Sequence, residues 1–347
     1  MAVPTGDSTV ATAPTAAGDE PPGRGVRARE PKRRFGLSAR RAWLLVIPTL
    51  LVLAVVIVYP VVRAVIMSFQ KDEGLDAATG MFVQGGSAGF ANYTHWLLQQ
   101  CPAAGGGTMA CPPGTLGSQF WGSVGITVFF AVITVAIETG VGLWMAVIMG
   151  KTFRGRALLR AAVLIPWAIP TAVTAKLWYF MFAPDGVVNR VFGTHILWTV
   201  DVWPSRFAII IADVWKTTPF MALLILAGLQ MIPQDVYEAA RVDGASAWQR
   251  FVHITLPLVK PALMVAVLFR TMDALRMYDL PAILTGGSPS TATLSVLVVD
   301  QVRQGFNSAS ALSTLTFLFI FLIAFVLVKF LGANAVRTQE DQRKVGK

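Results

Sequence analysis

The feature that most constrains this chain is a series of apolar segments long enough to cross a lipid bilayer. Spanning the hydrocarbon core takes about 20 mostly apolar residues. Six segments reach that length: 43–67, 122–149, 158–182, 207–230, 259–284 and 310–332. Only helices and closed barrels satisfy their backbone hydrogen bonds in lipid, so each segment is predicted to be a helix. The predicted fold class is therefore an all-α membrane protein with six transmembrane helices.

Composition supports lipid as the main solvent. The chain is 54% apolar and only 14% charged, whereas a soluble domain is about one quarter charged. The first apolar segment is too long for the core of a signal peptide and has no nearby small-residue cleavage site. We therefore expect it to remain as a spanning helix.

The net charge of +10 reflects the positions of Lys and Arg in alternate loops. Eight lie between residues 24 and 41 and four between residues 151 and 160, whereas Lys71 is alone between the first two spans. By the positive-inside rule, both termini are predicted to be cytoplasmic in a multi-pass plasma-membrane protein. We expect a disordered basic tail at 1–40, a transmembrane domain at 41–335 and a second cytoplasmic tail at 336–347. The membrane accounts for the basic charge, so no nucleic-acid partner is predicted.

The two cysteines, Cys101 and Cys111, lie in the predicted outer loop, residues 68–121. Outside the cell, cysteines this close in sequence can form a disulfide. That pairing is favoured over the alternative of two free thiols. His95 is the only other plausible ligand nearby, so no metal site is predicted.

A polar segment, residues 233–257, separates the fourth and fifth spans. Asp235 and Glu238 have capping-box spacing, which predicts Asp235 as the N-cap of a short helix. Gly244 is predicted to end that helix in the left-handed conformation. Ser246 and Gln249 repeat the capping-box spacing, and Pro257 is expected to mark the turn into the fifth span. The segment is therefore predicted to form a pair of short helices that meet at a glycine bend.

The fifth span carries charges that are costly in lipid. Each costs roughly 2.5–3.5 kcal/mol at the bilayer centre, so the charged side chains must pair, face water or lie at an end. Neighbours in this set are spaced i, i+3, which allows ion pairs along one face. Either they form a structural ion network or they line a substrate route. The candidate route residues here are Arg270, Asp273, Arg276, Tyr278 and Asp279.

The fourth span adds Trp215, Lys216, Thr217 and Thr218 to the candidate route. An aromatic face and hydroxyl groups suit a sugar, since one contacts apolar ring faces and the others form hydrogen bonds. The alternative is that Trp215 is an interface anchor, the commoner role of Trp near the end of a span.

The chain has no sequence signature of an enzyme. Gly150-Lys151-Thr152 is similar to the end of a phosphate-binding loop, but Met145 stands where the first glycine is required. No catalytic residue and no cofactor are predicted in this chain. We do not expect it to hydrolyse a substrate by itself.

The polar segment resembles the conserved EAA loop of permease subunits in carbohydrate-uptake ABC importers, the class that includes the maltose and glycerol-phosphate systems. The matching positions are Glu238, Ala239, Ala240, Gly244, Ile254, Leu256 and Pro257. The resemblance extends over about residues 40–332 and implies a type I ABC importer fold. It implies that Glu238, Ala239, Ala240, Asp243 and Gly244 form the contact with a separate ATPase that binds ATP and Mg. The other partners implied are a second permease subunit, a second ATPase copy, an extracytoplasmic sugar-binding lipoprotein and membrane lipid.

Within this family, three blocks are similar to those of trehalose permeases: Val214–Met221, Ala240–Trp248 and Leu268–Ala274. The resemblance implies a disaccharide substrate, with trehalose favoured over another oligosaccharide or glycerol phosphate. Two other classes remain open. A proton-coupled secondary transporter would work without an ATPase, and an intramembrane enzyme would need a catalytic cluster.

Overall fold

The computed structural model describes residues 39–75, 80–103 and 107–332. Up to residue 38 the predicted N-terminal tail lies outside this part of the chain, as does the predicted tail at 336–347. The described residues divide into two units, with the boundary between Val55 and Val56. The described part of the first unit is helical and contains α1 (Ala39–Leu53).

The second unit is built almost entirely from helices. A 3₁₀ turn covers Leu116–Gln119, and π turns cover Phe251–Thr255 and Val328–Gly332; a further π turn, Ala54–Val58, joins α1 to α2. The α-helices are α2 (Tyr59–Met67), α3 (Ala91–Leu97), α4 (Phe120–Gly150), α5 (Arg156–Ala168), α6 (Thr171–Met181), α7 (Val187–Phe192), α8 (Val202–Gln230), α9 (Gln234–Val242), α10 (Ala247–Arg250), α11 (Leu256–Ala274), α12 (Asp279–Leu284), α13 (Leu294–Val302) and α14 (Phe306–Leu327).

Within the described residues, five helices are long and apolar enough to cross a membrane. A bent pair of shorter helices, α5 and α6, raises the count to six if the pair forms one span. The five are Val46–Met67, Leu116–Gly150, Val202–Gln230, Ala247–Ala274 and Phe306–Phe330. The all-α fold class and the predicted number of spans are confirmed in this form.

The prediction that residues 158–182 form a single helix is wrong. The chain bends by 88° between α5 and α6. Pro170 has no N–H to continue the hydrogen-bond ladder, and it disfavours helical geometry in the residue before it. Ile169 accordingly has extended backbone, with φ −73° and ψ 131°.

The predicted limits of the fifth span, 259–284, are also wrong. The helix runs without a turn from Ala247 to Ala274, so Pro257 does not divide it. The ring of a helical proline clashes with the carbonyl four residues earlier, here that of His253. His253 lies inside the π turn Phe251–Thr255, where the wider backbone makes room. At its other end the helix stops at Ala274, and a short break precedes α12.

The loop between the first two spans, residues 68–121, contains three small antiparallel ladders. They pair β1 (Gln70–Lys71) with β4 (Gly86–Ser87), β2 (Gly74–Leu75) with β3 (Phe82–Val83), and β5 (Gln100–Pro102) with β6 (Thr108–Ala110). Cys101 in β5 forms a disulfide with Cys111, the residue that follows β6. His95 packs beside it and contacts the carbonyl of Gln100 at 2.7 Å. Burial lowers the pKa of His95, so its imidazole is neutral at pH 7.

The core of the bundle is the packing of α4, α8 and α11. Contacts between α4 and α8 advance in the same direction along both helices. Glu138 contacts Thr217, and further along both helices Gly150 lies beside Leu226, so α4 and α8 run parallel. Helix α11 runs antiparallel to α8, because its start lies beside Gly228 and Arg270 lies beside Asp213. The α9 end of the bundle is therefore opposite to the end that carries the 68–121 loop.

Candidate functional site

Helix α9 begins differently from the sequence prediction. Its N-cap is Pro233, with φ −61° and ψ 140°, and no side chain caps the first turn. The predicted N-cap, Asp235, is instead inside the helix, in its first turn. The fixed φ of Pro233 suits the start of the helix, and Asp235 still lies next to the positive end of the helix dipole.

The glycine bend after α9 is confirmed. Gly244 has φ +79°, in the left-handed region. The amide of Ala245 donates to the carbonyl of Ala240 at 2.9 Å, which closes the end of the helix. Ser246 and Gln249 then form the predicted capping box, with Ser246 N to Gln249 Oε1 at 2.7 Å.

One side-chain contact holds α9 against the helix that follows it, and a second holds the bend after α9. The hydroxyl groups of Tyr237 and Thr255 are 3.0 Å apart, and Arg250 donates to the carbonyl of Ala245 at 2.8 Å. Ala240 is buried on this side of α9 and contacts the protein's own chain. The segment is thus fixed relative to the start of the fifth span, so a force on α9 acts on that helix directly.

The opposite side of α9 is open. Glu238, Ala239, Asp243 and Gly244 are all exposed there. Val242 is 88% exposed, although it is apolar. Two more large apolar side chains near this end are exposed, Met231 at 82% and Trp248 at 72%. We call these seven residues the α9 surface. An apolar patch with an acidic rim at the end of the spans is typical of a protein contact.

A second group of polar residues lies inside the bundle, where α4, α8 and α11 meet, and is centred on Arg270. Its guanidinium Nε donates to Oε2 of Glu138 at 2.5 Å, and it also forms an ion pair with Asp213. A third acidic group, Asp273, is 3.1 Å away from Arg270 and is 68% exposed. Glu138, Asp213 and Arg270 are buried.

Glu138 and Asp213 are the important residues that sequence reasoning missed. Spacing along the sequence relates Arg270 only to residues on its own helix, and of these pairs only the one with Asp273 forms. Glu138 is the one charged residue of α4, inside an otherwise apolar span. A lone acid in one span was a usable signal, since it needs a basic or polar partner on another helix in lipid.

The other candidate route residues of the fifth span, Arg276, Tyr278 and Asp279, lie near the end of α11. Arg276 follows the helix and is exposed, while Tyr278 and Asp279 are half-buried at the start of α12. In the part of the chain that the structure describes, Arg276 forms no ion pair with Asp273 or Asp279, so these two predicted i, i+3 pairs are wrong. The helical spacing that would bring them together ends at Ala274.

The predicted route residues of the fourth span face different neighbours: Lys216 lies at the bend between α5 and α6, Trp215 contacts α6, and Thr217 contacts Glu138 on α4. Lys216 is buried, and its Nζ donates to the carbonyl of Ile169 at 2.7 Å and of Trp167 at 3.4 Å. These carbonyls belong to the end of α5, where a cation suits the helix dipole. Lys216 therefore satisfies backbone groups that the break at Pro170 leaves without helical partners.

Aromatic rings lie beside this bend. Trp167 is stacked on Phe220 with ring centres 5.5 Å apart, and Trp215 contacts Trp178 edge to face at 5.8 Å. Trp215 is 37% exposed. Thr218 is buried and its hydroxyl has no hydrogen-bond partner among the described residues. Broken helices at membrane depth are found where the backbone is packed in protein or lines a wet cavity.

The described residues contain one cluster with metal-ligand spacing, formed by His95, Cys101 and Cys111. Both sulfur atoms are in the disulfide, so they are not available as thiolate ligands.

Comparison with known proteins gives a consistent result. Residues 138–338 match the protein family described as "Binding-protein-dependent transport system inner membrane component". The chain is 39% identical over 300 residues to the trehalose/maltose transport system permease protein MalF of Thermococcus litoralis, a match that covers 84% of this chain and 94% of that protein. It is 37% identical over 299 residues to the trehalose transport system permease protein SugA of Mycobacterium tuberculosis, covering 85% of this chain and 90% of that protein.

A solved structure shares the fold. It is a bacterial alginate ABC transporter in complex with an alginate pentasaccharide-bound periplasmic protein. The TM-score is 0.67 at 21% identity, and the match covers 88% of this chain and 98% of that one.

Proposed function

The chain belongs to the family of inner membrane components of binding-protein-dependent transport systems, and we propose that it passes a disaccharide, trehalose, through a pore formed with a second permease subunit. It is a multi-pass membrane permease of the sugar-importing ABC class, a channel subunit without catalytic activity. The observation that carries the proposal is the near full-length similarity to two permeases named for trehalose, at 39% and 37% identity. Maltose, another oligosaccharide and glycerol phosphate are the alternative substrates.

We assign the α9 surface to contact with a separate ATPase, which would supply ATP hydrolysis with Mg. The support is geometric: Glu238, Ala239, Asp243 and Gly244 are exposed together, and Val242 adds an apolar contact among them. Ala240 contributes from below, because it packs α9 onto its own chain. Closure of the ATPase dimer would move α9, and Tyr237 would carry that movement to the fifth span through Thr255.

The sugar route is proposed to follow the break after α11 and the bend beside Trp215. The accessible groups are Asp273, Arg276 and Trp215, with Tyr278 and Asp279 partly accessible. The buried members of the predicted set, which hold this region together, are Arg270, Lys216, Thr217 and Thr218. The four formal charges at Arg270, Asp273, Arg276 and Asp279 cancel, which suits a neutral sugar.

The proposed orientation places the α9 end in the cytoplasm, as the distribution of Lys and Arg predicts. The 68–121 loop then faces outward, where a sugar-binding lipoprotein would deliver the substrate. A disulfide between Cys101 and Cys111 is compatible with that side of the membrane.

The test is to co-express the chain with its genomic neighbours, reconstitute the purified complex and measure ATP hydrolysis with the binding protein. Trehalose, maltose, glycerol phosphate and no sugar are compared at equal concentrations. We expect an ATPase to co-purify and trehalose to give the greatest stimulation. Greatest stimulation by another sugar would replace the substrate and keep the importer mechanism. Transport by this chain without any ATPase would support a secondary transporter and overturn the proposal.

A further inference from the structure

Two buried carboxyl groups contact the one guanidinium of Arg270. They belong to Glu138 and Asp213, whereas Asp273, the third acid of the network, is largely exposed to solvent. Lys216 is one turn from Asp213 on α8, but its Nζ donates to backbone carbonyls. If Glu138 and Asp213 were both ionised, two carboxylates would share one buried site, and each raises the cost of ionising the other.

Hydrogen-bond donors give a second, independent argument. Oγ1 of Thr217 lies 2.5 Å from Oε1 of Glu138 and 2.7 Å from the carbonyl oxygen of Asp213. A threonine hydroxyl has one hydrogen, so it can donate fully to only one of these oxygens. Bonding to the carbonyl four residues earlier is the common arrangement in helices. The other contact then needs a hydrogen from Glu138.

We propose that Glu138 is a neutral, protonated carboxylic acid in the folded protein, and that with ionised Asp213 it positions Arg270 beside the proposed sugar route. The proton of Glu138 is donated to Thr217 Oγ1, and Thr217 donates to the carbonyl of Asp213. Arg270 donates from Nε to Oε2 of Glu138 and from Nη2 to Oε1 at 3.0 Å, and it pairs with Asp213 as its counterion. Oε1, as the hydroxyl oxygen, accepts from Arg270 while its hydrogen is donated to Thr217. Every contact then has one donor and one acceptor.

Groups on neighbouring helices are consistent with this assignment. Thr217 from α8 and Arg270 from α11 contact Glu138, and Asp213 lies on the other side of the same guanidinium. The two other charged groups nearby on these helices bond elsewhere, Lys216 to backbone carbonyls and Asp273 to Arg270. Helices α3, α5 and α13 also pack on α4, but their ionisable side chains lie elsewhere. His95 of α3 contacts the carbonyl of Gln100. Arg160 donates to the carbonyl of Met149, and Asp300 lies beside Gly287.

The positioning role follows from where Arg270 lies. It is one turn before the end of α11, and the residues of the proposed route follow immediately after it. Holding Arg270 to two other helices fixes the point at which the fifth span ends. This role rests on the proposed function, whereas the protonation of Glu138 does not.

Infrared spectroscopy tests the protonation directly. The purified complex, in a detergent without ester groups, is expected to show the carbonyl stretch of a protonated carboxylic acid. That band should shift in D₂O and disappear in Glu138→Gln. The matched control, Asp185→Asn, removes an exposed carboxylate and should leave the band unchanged. If Glu138→Gln does not fold, Glu138→Asp keeps the acid and should shift the frequency of the band. Absence of such a band in the unmodified protein, or its retention in Glu138→Gln, overturns the proposal.

A comparison of two isosteric variants tests the positioning. Glutamine at 138 can still donate to Thr217 and accept from Nε of Arg270, and it loses only the longer contact with Nη2. Transport should therefore stay within about threefold of the unmodified protein. Asp213→Asn removes the counterion of Arg270, and transport should fall by at least about tenfold. Equal losses in both variants, or a larger loss in Glu138→Gln, would contradict the assignment. If the complex transports no sugar but keeps the infrared band, the proposed function is contradicted and the protonation of Glu138 is still supported.

Discussion

At the scale of single residues, backbone conformation decides how the α9 segment ends. Gly244 has φ +79° and nothing lies within 4 Å of the position that a side chain would take. A side chain there would thus be opposed by conformation and not by a clash. Gly155, at the start of α5, has φ +88° and is equally open. Both glycines adopt the left-handed conformation, but only Gly244 lies at the end of α9. Substituting each of them therefore separates the effect of backbone strain from an effect on the function of α9.

Gly244→Ala is expected to cost about 1–2 kcal/mol of folding free energy, because a left-handed residue with a side chain is strained. The strain acts where α9 turns back towards the fifth span, so sugar-stimulated ATP hydrolysis should fall more than stability does. Gly155→Ala is the matched control, with a similar cost in stability and unchanged stimulation. Thermal unfolding in detergent and ATPase assays of the reconstituted complex measure the two effects. Equal loss of stimulation in both variants would show that α9 has no special role in coupling.

At the scale of helices, close approach depends on small residues at the crossing points. A Cβ at Gly228 would lie 2.2 Å from the Cβ of Ala262, which is far inside van der Waals contact. Helix α8 and the start of the fifth span can therefore pack at this distance only with glycine at 228. The crossing lies close to α9, so it also sets where the α9 segment meets the spans.

Gly228→Ala is expected to destabilise the protein by about 1–3 kcal/mol, because the added methyl group forces the two helices apart. Gly150→Ala is its control on α4, since its Cβ would meet Leu226 at an ordinary 3.8 Å. That control should be neutral or slightly stabilising, because Ala favours the helix over Gly by up to about 1 kcal/mol. The half-life of the folded protein at a fixed elevated temperature compares the two. A longer half-life for Gly228→Ala than for the unmodified protein would contradict the observed packing.

At the scale of the whole molecule, the bundle has two chemically distinct ends. One end carries the disulfide and the short ladders of the 68–121 loop, and the other carries α9. Asp185 lies between α6 and α8, at the end where α8 begins, and Asp235 lies in α9. Both are exposed. The orientation proposed from the basic loops assigns these two positions to opposite sides of the membrane.

Asp185→Cys and Asp235→Cys test that orientation in intact cells. The native cysteines form a disulfide and do not react with maleimides while it is intact. A membrane-impermeant maleimide should label Cys at 185 in intact cells and Cys at 235 only after permeabilisation. The unmodified protein serves as the background control. The reverse pattern would invert the topology and exclude contact between the α9 surface and a cytoplasmic ATPase.

Sequence by itself determined the features that depend on neighbours within a turn or on the solvent. Segment length and polarity identified the spans, Ser246 and Gln249 identified a cap, and Gly244 identified a bend, because each signal acts over a few residues. The tertiary structure alone decided which groups neutralise Arg270. Its partners Glu138 and Asp213 are 132 and 57 residues away in sequence, so no helical spacing relates them to it. Helix packing brings these groups together. It also places Lys216 against the carbonyl of Ile169 at the bend beside Pro170. The end of the fifth span at Ala274 was likewise visible only in the structure.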